Sequence, residues 1–173
     1  MISQVIDKLD QLYPITNKPL GYVVKKEIND LFYPCKLVNN EYKQVLDFQK
    51  LSDFHYWYLT GDVISEEITN RYGVKRIFQL NMPIRVFICK KDTCDENLAL
   101  SFYMNIDKLS MQVRAQLEIL NFDIKVNSFN LIRDTILESE FNDQIKLMDK
   151  YHVATIDTIM SIQIDKQCLD NLC

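Results

Sequence analysis

Acid–base, nucleophilic or metal chemistry in this chain would fall to its histidines, cysteines and acidic residues, and histidine is limited to His55 and His152. His55 lies in Asp53-Phe54-His55-Tyr56-Trp57-Tyr58. Asp53 would orient the ring only if both residues turned the same way on a strand, and so aromatic a run favours a hydrogen-bonded core histidine. Cys35 and His55 would together make a thiol–imidazole nucleophile pair, yet nothing in the sequence supplies an orienting group or an oxyanion nest. The five cysteines, Cys35, Cys89, Cys94, Cys168 and Cys173, are odd in number and scattered, which is expected of reduced thiols in a cytosol. Cys89/Cys94 and Cys168/Cys173 each enclose four residues. A structural zinc site wants two to four intervening residues and a matching second pair, so thiols without metal are the simpler reading. Glu66-Glu67 and the Glu138/Glu140 pair read as solvated acids rather than a glycosidase pair. Gly21, Gly61 and Gly73 stand too far apart to form a nucleotide-binding fingerprint. No catalytic residue, cofactor or metal ligand is assigned, and no enzyme is expected.

The elements that would position these residues follow from hydrophobic periodicity. Ile2, Val5, Ile6, Leu9 and Leu12 recur at helical steps and predict a short amphipathic helix that stops at Tyr13-Pro14. Between Tyr22 and Leu59 the pattern weakens to short strands around Tyr33–Val38 and Tyr56–Leu59, with a turn at Asn39-Asn40. From Val74 to Lys90 the apolar residues fall on even positions, which predicts a long half-buried strand. Pro83, on its odd face, requires a bulge or an edge on that side. Val63–Thr69 is expected as the other arm of a hairpin turning near Asn70–Gly73. Phe102, Ile106, Leu109, Val113, Leu117 and Leu120 mark a helix between Glu96 and Leu120, with Asp95 as its N-cap and Asn121 closing its end. The stretch Phe122–Tyr151 reads as a strand and an irregular excursion. Even positions from Ala154 to Ile164 predict a closing strand. The expected fold is α/β (α+β), a mixed, mostly antiparallel sheet with a long β-hairpin, packed on an N-terminal helix and a longer central helix, in a single domain over residues 1–173.

Composition excludes several function classes. Net charge is −4 and the pI is near 5.2, whereas nucleic-acid binding draws most of its affinity from Lys and Arg. The basic pairs Lys25-Lys26 and Lys90-Lys91 read as solvated surface. Gly and Pro together supply 7 of 173 residues, about 4% against roughly 12% in average usage, so glycine-built phosphate loops are scarce. No apolar run spans a bilayer and Met1-Ile2-Ser3-Gln4 opens no signal peptide, so a soluble protein that is not secreted is expected. Ile, Asn, Lys, Tyr and Phe supply 65 residues while Ala, Gly, Arg and Pro supply 15, the bias of an AT-rich genome.

Apolar residues on faces that should be wet carry more information. Ile77 and Phe87 share the odd face of the Val74–Lys90 strand with Arg85, and Val153 and Ile159 sit on the odd face of the last strand. Such mixed faces suit a subunit interface, equally with cover from a helix or loop of the same chain. Ile77, Arg85, Phe87, Val153 and Ile159 are therefore the candidate interface residues.

The N-terminal helix, the extended region, the hairpin ending in Arg76-Ile77-Phe78-Gln79-Leu80-Asn81-Met82-Pro83-Ile84-Arg85-Val86-Phe87-Ile88, the following helix and the strand Ala154–Ile164 come in an order that resembles the tail-terminator and tail-completion (neck) proteins of tailed bacteriophages. The AT-rich bias would suit a crAss-like phage. The resemblance implies a virion structural protein, made in the host cytoplasm, that forms a six- or twelve-fold cyclic homo-oligomer at the head–tail junction. It implies neighbouring portal, adaptor, ring or tail proteins as partners, DNA passing through the lumen without sequence-specific binding, and no membrane. An acidic lumen would repel the phosphates of passing DNA. The competing expectations are a regulatory or immunity-type domain binding one protein partner 1:1, and a small cytosolic enzyme using Cys35 and His55.

Overall fold

The structure is a computed structural model and describes residues 1–45, 53–69, 76–132, 141, 147 and 151–165. The first helix, α1 (Ile2–Leu12), buries Val5, Ile6 and Leu9, and its last turn closes where the Tyr13 N–H donates to the Leu9 carbonyl at 2.8 Å, just ahead of Pro14. The fold is α+β, and the described strands form two sheets.

The smaller sheet is an antiparallel meander of β2 (Val24–Ile28), β3 (Leu31–Val38) and β4 (Glu41–Gln44). Its two-residue connections, Asn29-Asp30 and Asn39-Asn40, all have positive φ, between 52° and 63°. That is the mirror-image turn whose twist matches a hairpin, and Asn and Asp tolerate it better than other side chains.

The larger sheet contains β1 (Lys18–Tyr22), β5 (Phe54–Leu59), β6 (Ile64–Thr69), β7 (Arg76–Lys90), β8 (Asn121–Ile132) and β9 (His152–Asp165), in the order β1-β5-β7-β9-β8, with β6 also paired to β7. Among the described strands only β1 and β5 pair in parallel. The expected hairpin is present, since Thr69 pairs with Arg76 and Ile64 with Asn81. Its turn at Asn70–Gly73, with the first residues of the Val74–Lys90 strand, lies outside the described residues. β7 and β9 pair without interruption from Ile77/Asp165 to Lys90/His152, so Pro83 causes no bulge. Instead Pro83 stands where β5, paired up to Ile84, gives way to β6, paired from Asn81. The chain leaves the sheet at the position where Pro83 lacks its donor, and the Pro83 carbonyl still accepts from the Thr60 N–H at 3.0 Å.

The long helix α2 spans Glu96–Leu117 and ends earlier than Leu120, because Glu118 turns left-handed (φ 53°). Asn121 is therefore the first residue of β8 rather than a helix cap. Asp95 does occupy the N-cap position, in extended conformation and without a side-chain capping bond.

Two cores result among the described residues. One lies between the helices and the even face of the sheet: Ile6, Leu9, Trp57, Val86, Phe102, Val113, Ile156 and Met160 meet there. The other lies on the opposite face at one end, where Phe54, Tyr56, Tyr58, Phe87, Cys89 and Val153 are covered by Val23, Phe141 and Leu147. The Tyr56 and Phe87 rings stack at 5.0 Å, and Phe141 meets Tyr58 edge-on at 4.9 Å. β5 is buried on both faces over Phe54–Tyr58, which explains its near-continuous apolar run.

Candidate functional site

His55 is drawn into a buried network. Its Nε2 lies 2.9 Å from Asp10 Oδ1 and its Nδ1 lies 2.8 Å from Thr16 Oγ1, and the same Asp10 oxygen accepts the Trp57 Nε1–H at 2.8 Å. An ionised carboxylate only accepts, so the Asp10 contact takes a donor at His55 Nε2–H, and Thr16 Oγ1 is the hydrogen-bond partner of Nδ1. Hydroxyl, imidazole and carboxylate stand in the order of a nucleophile relay. Thr16, His55 and Asp10 are 6%, 0% and 6% exposed, however, so a substrate cannot reach the hydroxyl. What the network does is fasten α1 to β5.

Asp53 is not the orienting acid; it accepts the Lys91 backbone N–H at 2.9 Å. Asp10 fills that role because its helix places it, four residues after Ile6, on the buried face. In the sequence it is one more polar residue between apolar ones, with no sign of this role. Cys35 is buried in β3, and with both its nitrogens engaged the His55 imidazole is not available to it. Cys89 and Cys94 are likewise buried, and desolvation, with smaller contributions from Cys94 and Asp53, pushes the Cys89 thiol up to about 12. It stays protonated at neutral pH. Cys168, Cys173, Glu138 and Glu140 lie outside the described residues. Among the described residues no cluster of three or more His, Cys, Asp or Glu could hold a metal ion, and no helix is long and apolar enough to cross a membrane.

The candidate interface residues separate into two sets. Phe87 and Val153 are 1% and 0% exposed within the second core, so the chain itself covers that end of the face. Ile77 and Arg85 remain half-buried and Ile159 exposed on the open part. There Arg85 Nη2 donates to Asp157 Oδ2 at 3.0 Å and Ser128 Oγ to the same oxygen at 3.3 Å. Gln163–Gln79 and Ser161–Asn81 bonds of 2.8 and 2.6 Å continue the cross-strand ladder. The Asp157 hydrogen bond, above all, raises the Arg85 pKa against the opposing effect of burial.

Sequence periodicity missed a set of exposed apolar residues on α2. Leu100, Tyr103, Met104 and Met111 are all exposed and, at spacings of three, four and seven, form one stripe along α2. Leu100, Met104 and Met111 lie opposite Phe102, Ile106, Leu109 and Val113, which face the sheet. Tyr103 stands at the flank, where its hydroxyl donates to the Val126 carbonyl of β8 at 3.4 Å. The exposed Asp107 falls on the same stripe between Met104 and Met111. A second exposed set, Leu31, Leu37 and Tyr42, shares one face of the meander. Lys26 Nζ sits 3.9 Å over the Tyr42 ring, and Lys25 Nζ 4.4 Å over that of Phe32. Both ammonium groups thus rest on aromatic rings at the surface, Lys25 exposed and Lys26 half-buried. No protein-family model matches the chain, and no curated protein matches it.

Proposed function

We propose that this chain is a non-enzymatic structural subunit that self-assembles into a cyclic homo-oligomer at the head–tail junction of a tailed-bacteriophage virion, around the path of the genomic DNA. The observation that carries the reading is the two-sided α2. A helix already packed on its own sheet has no internal use for Leu100, Met104 and Met111 on its opposite side, with Met104 77% exposed. Exposed apolar side chains grouped on a regular element around a charged residue, Asp107, suit a protein–protein contact.

Two further features support the reading. The order of α1, the β6–β7 hairpin, α2 and the closing β9 resembles that expected of the tail-terminator and neck proteins. The net charge of −4 would let DNA slide through a ring without adhering. On the open sheet face, Ile77 and Ile159 beside the Arg85–Asp157 pair would meet a neighbouring neck protein above or below, where the polar ladder supplies the rim. Sedimentation of the purified chain tests the reading. A closed oligomer of one fixed size is expected; a monomer throughout the concentration series, or a complex with one foreign partner at 1:1, overturns it.

A further inference from the structure

A cleft of about 340 Å³ opens between the first turns of α1 and the meander, with Val24, Leu37 and Tyr42 as its apolar wall and Asp7 and Lys36 at its polar side. Gly21, at φ +65°, makes this close approach possible: a Cβ there would stand 3.0 Å from both Asp7 Oδ1 and Lys36 Nζ. The cleft therefore offers an apolar hole beside one cation and one anion, and Leu37 on its wall is 59% exposed.

The stripe on α2 is complementary to it. Met104, its most exposed member, is flexible and polarisable enough to fill an irregular hole. One turn further along, Asp107 and Lys108, both exposed, present one anion and one cation. We propose that α2 of one copy seats Met104 in the α1–meander cleft of the next copy, with Asp107 towards Lys36 and Lys108 towards Asp7. Knob and hole lie on different elements, so the contact is head-to-tail: each copy uses its helix on one neighbour and its cleft on the other. Repeated with a rotation that closes, such a contact generates a ring. The inference rests on the self-assembly argued above and names the surfaces that perform it.

Two variants separate the outcomes. Met104→Glu and Leu37→Glu each place a charge on a side chain that is already exposed, so the circular-dichroism spectrum should match that of wild type, and the melting temperature should match it at concentrations too low for wild type to assemble. Each alone should abolish the oligomer at concentrations where wild type assembles. Mixed in equal amounts they should give a 1:1 heterodimer and nothing larger, because the intact helix of one fits the intact cleft of the other. If the mixture stays monomeric, or if Leu37→Glu leaves the oligomer intact while Met104→Glu breaks it, as a helix-to-helix contact would require, the inference is overturned and self-assembly stands. A wild-type chain that never assembles overturns the self-assembly reading itself, and this contact with it.

Discussion

The Trp57 indole N–H and the Asp10 carboxylate meet at 2.8 Å, on the same oxygen that takes the Nε2–H of His55. This one acceptor joins a helix at the start of the chain to a strand more than forty residues later, and it does so out of reach of water. A charged group held there is stabilised by its donors, and the second oxygen, Oδ2, has no hydrogen-bond partner among the described residues.

Asp10→Ala should accordingly leave two buried donors unsatisfied at about 1–3 kcal/mol each, for a net loss of roughly 3 kcal/mol. Asp10→Asn, which keeps a carbonyl acceptor, should cost less. Urea denaturation measures both, and a loss below about 1 kcal/mol for Asp10→Ala would contradict the network. Nitrogen chemical shifts should place the His55 proton on Nε2.

Faces of the closing strand supply a second test. Ile156 is fully buried and Ile159 is 37% exposed, so Ile156→Ala should destabilise the chain by about 2–5 kcal/mol. Ile159→Ala should stay within about 0.5 kcal/mol. Equal effects in thermal denaturation would mean that the alternation assigned to β9 is wrong.

That alternation is legible in the amino-acid sequence, as are α1, the hairpin pairing Val63–Thr69 with the long strand, and the stripe of α2 that meets the sheet. Each is a local pattern carried by the spacing of neighbouring residues. The parallel pairing of β1 with β5 and the burial of Asp10 depend on which distant segment arrives opposite, and no local period encodes that. Phe87 and Val153 look like surface in the sequence for the same reason, because Phe141 and Leu147, their cover, come from a stretch without clear periodicity. The exposed stripe on α2 is hidden differently: apolar residues on both sides of a helix blur the single-face pattern.

Gly21→Ala should destabilise by about 1–2 kcal/mol, because an L side chain at φ +65° carries the left-handed penalty whatever room it finds. The nearby Asp7 and Lys36 tips can swing away, so the backbone sets the cost. A neutral substitution in a thermal melt would show that the cleft geometry around Gly21 is misdrawn.

Cys89 gives the stability a pH dependence. Its thiol is held up to about 12 in the folded chain, against an ordinary value of 9.0. Above about pH 9 the unfolded chain releases this proton while the folded chain keeps it, so stability is full below that value and falls progressively towards pH 12. Denaturation midpoints followed from pH 8 to 11 should fall more steeply for wild type than for Cys89→Ala. Parallel slopes would show that Cys89 is not buried as a thiol.

Native mass spectrometry of the purified protein tests most directly whether this chain builds a ring from copies of itself. A single closed species of six or twelve subunits, lost in Met104→Glu, is the expected result. A spectrum containing only the 20.5 kDa monomer across the concentration series would contradict it.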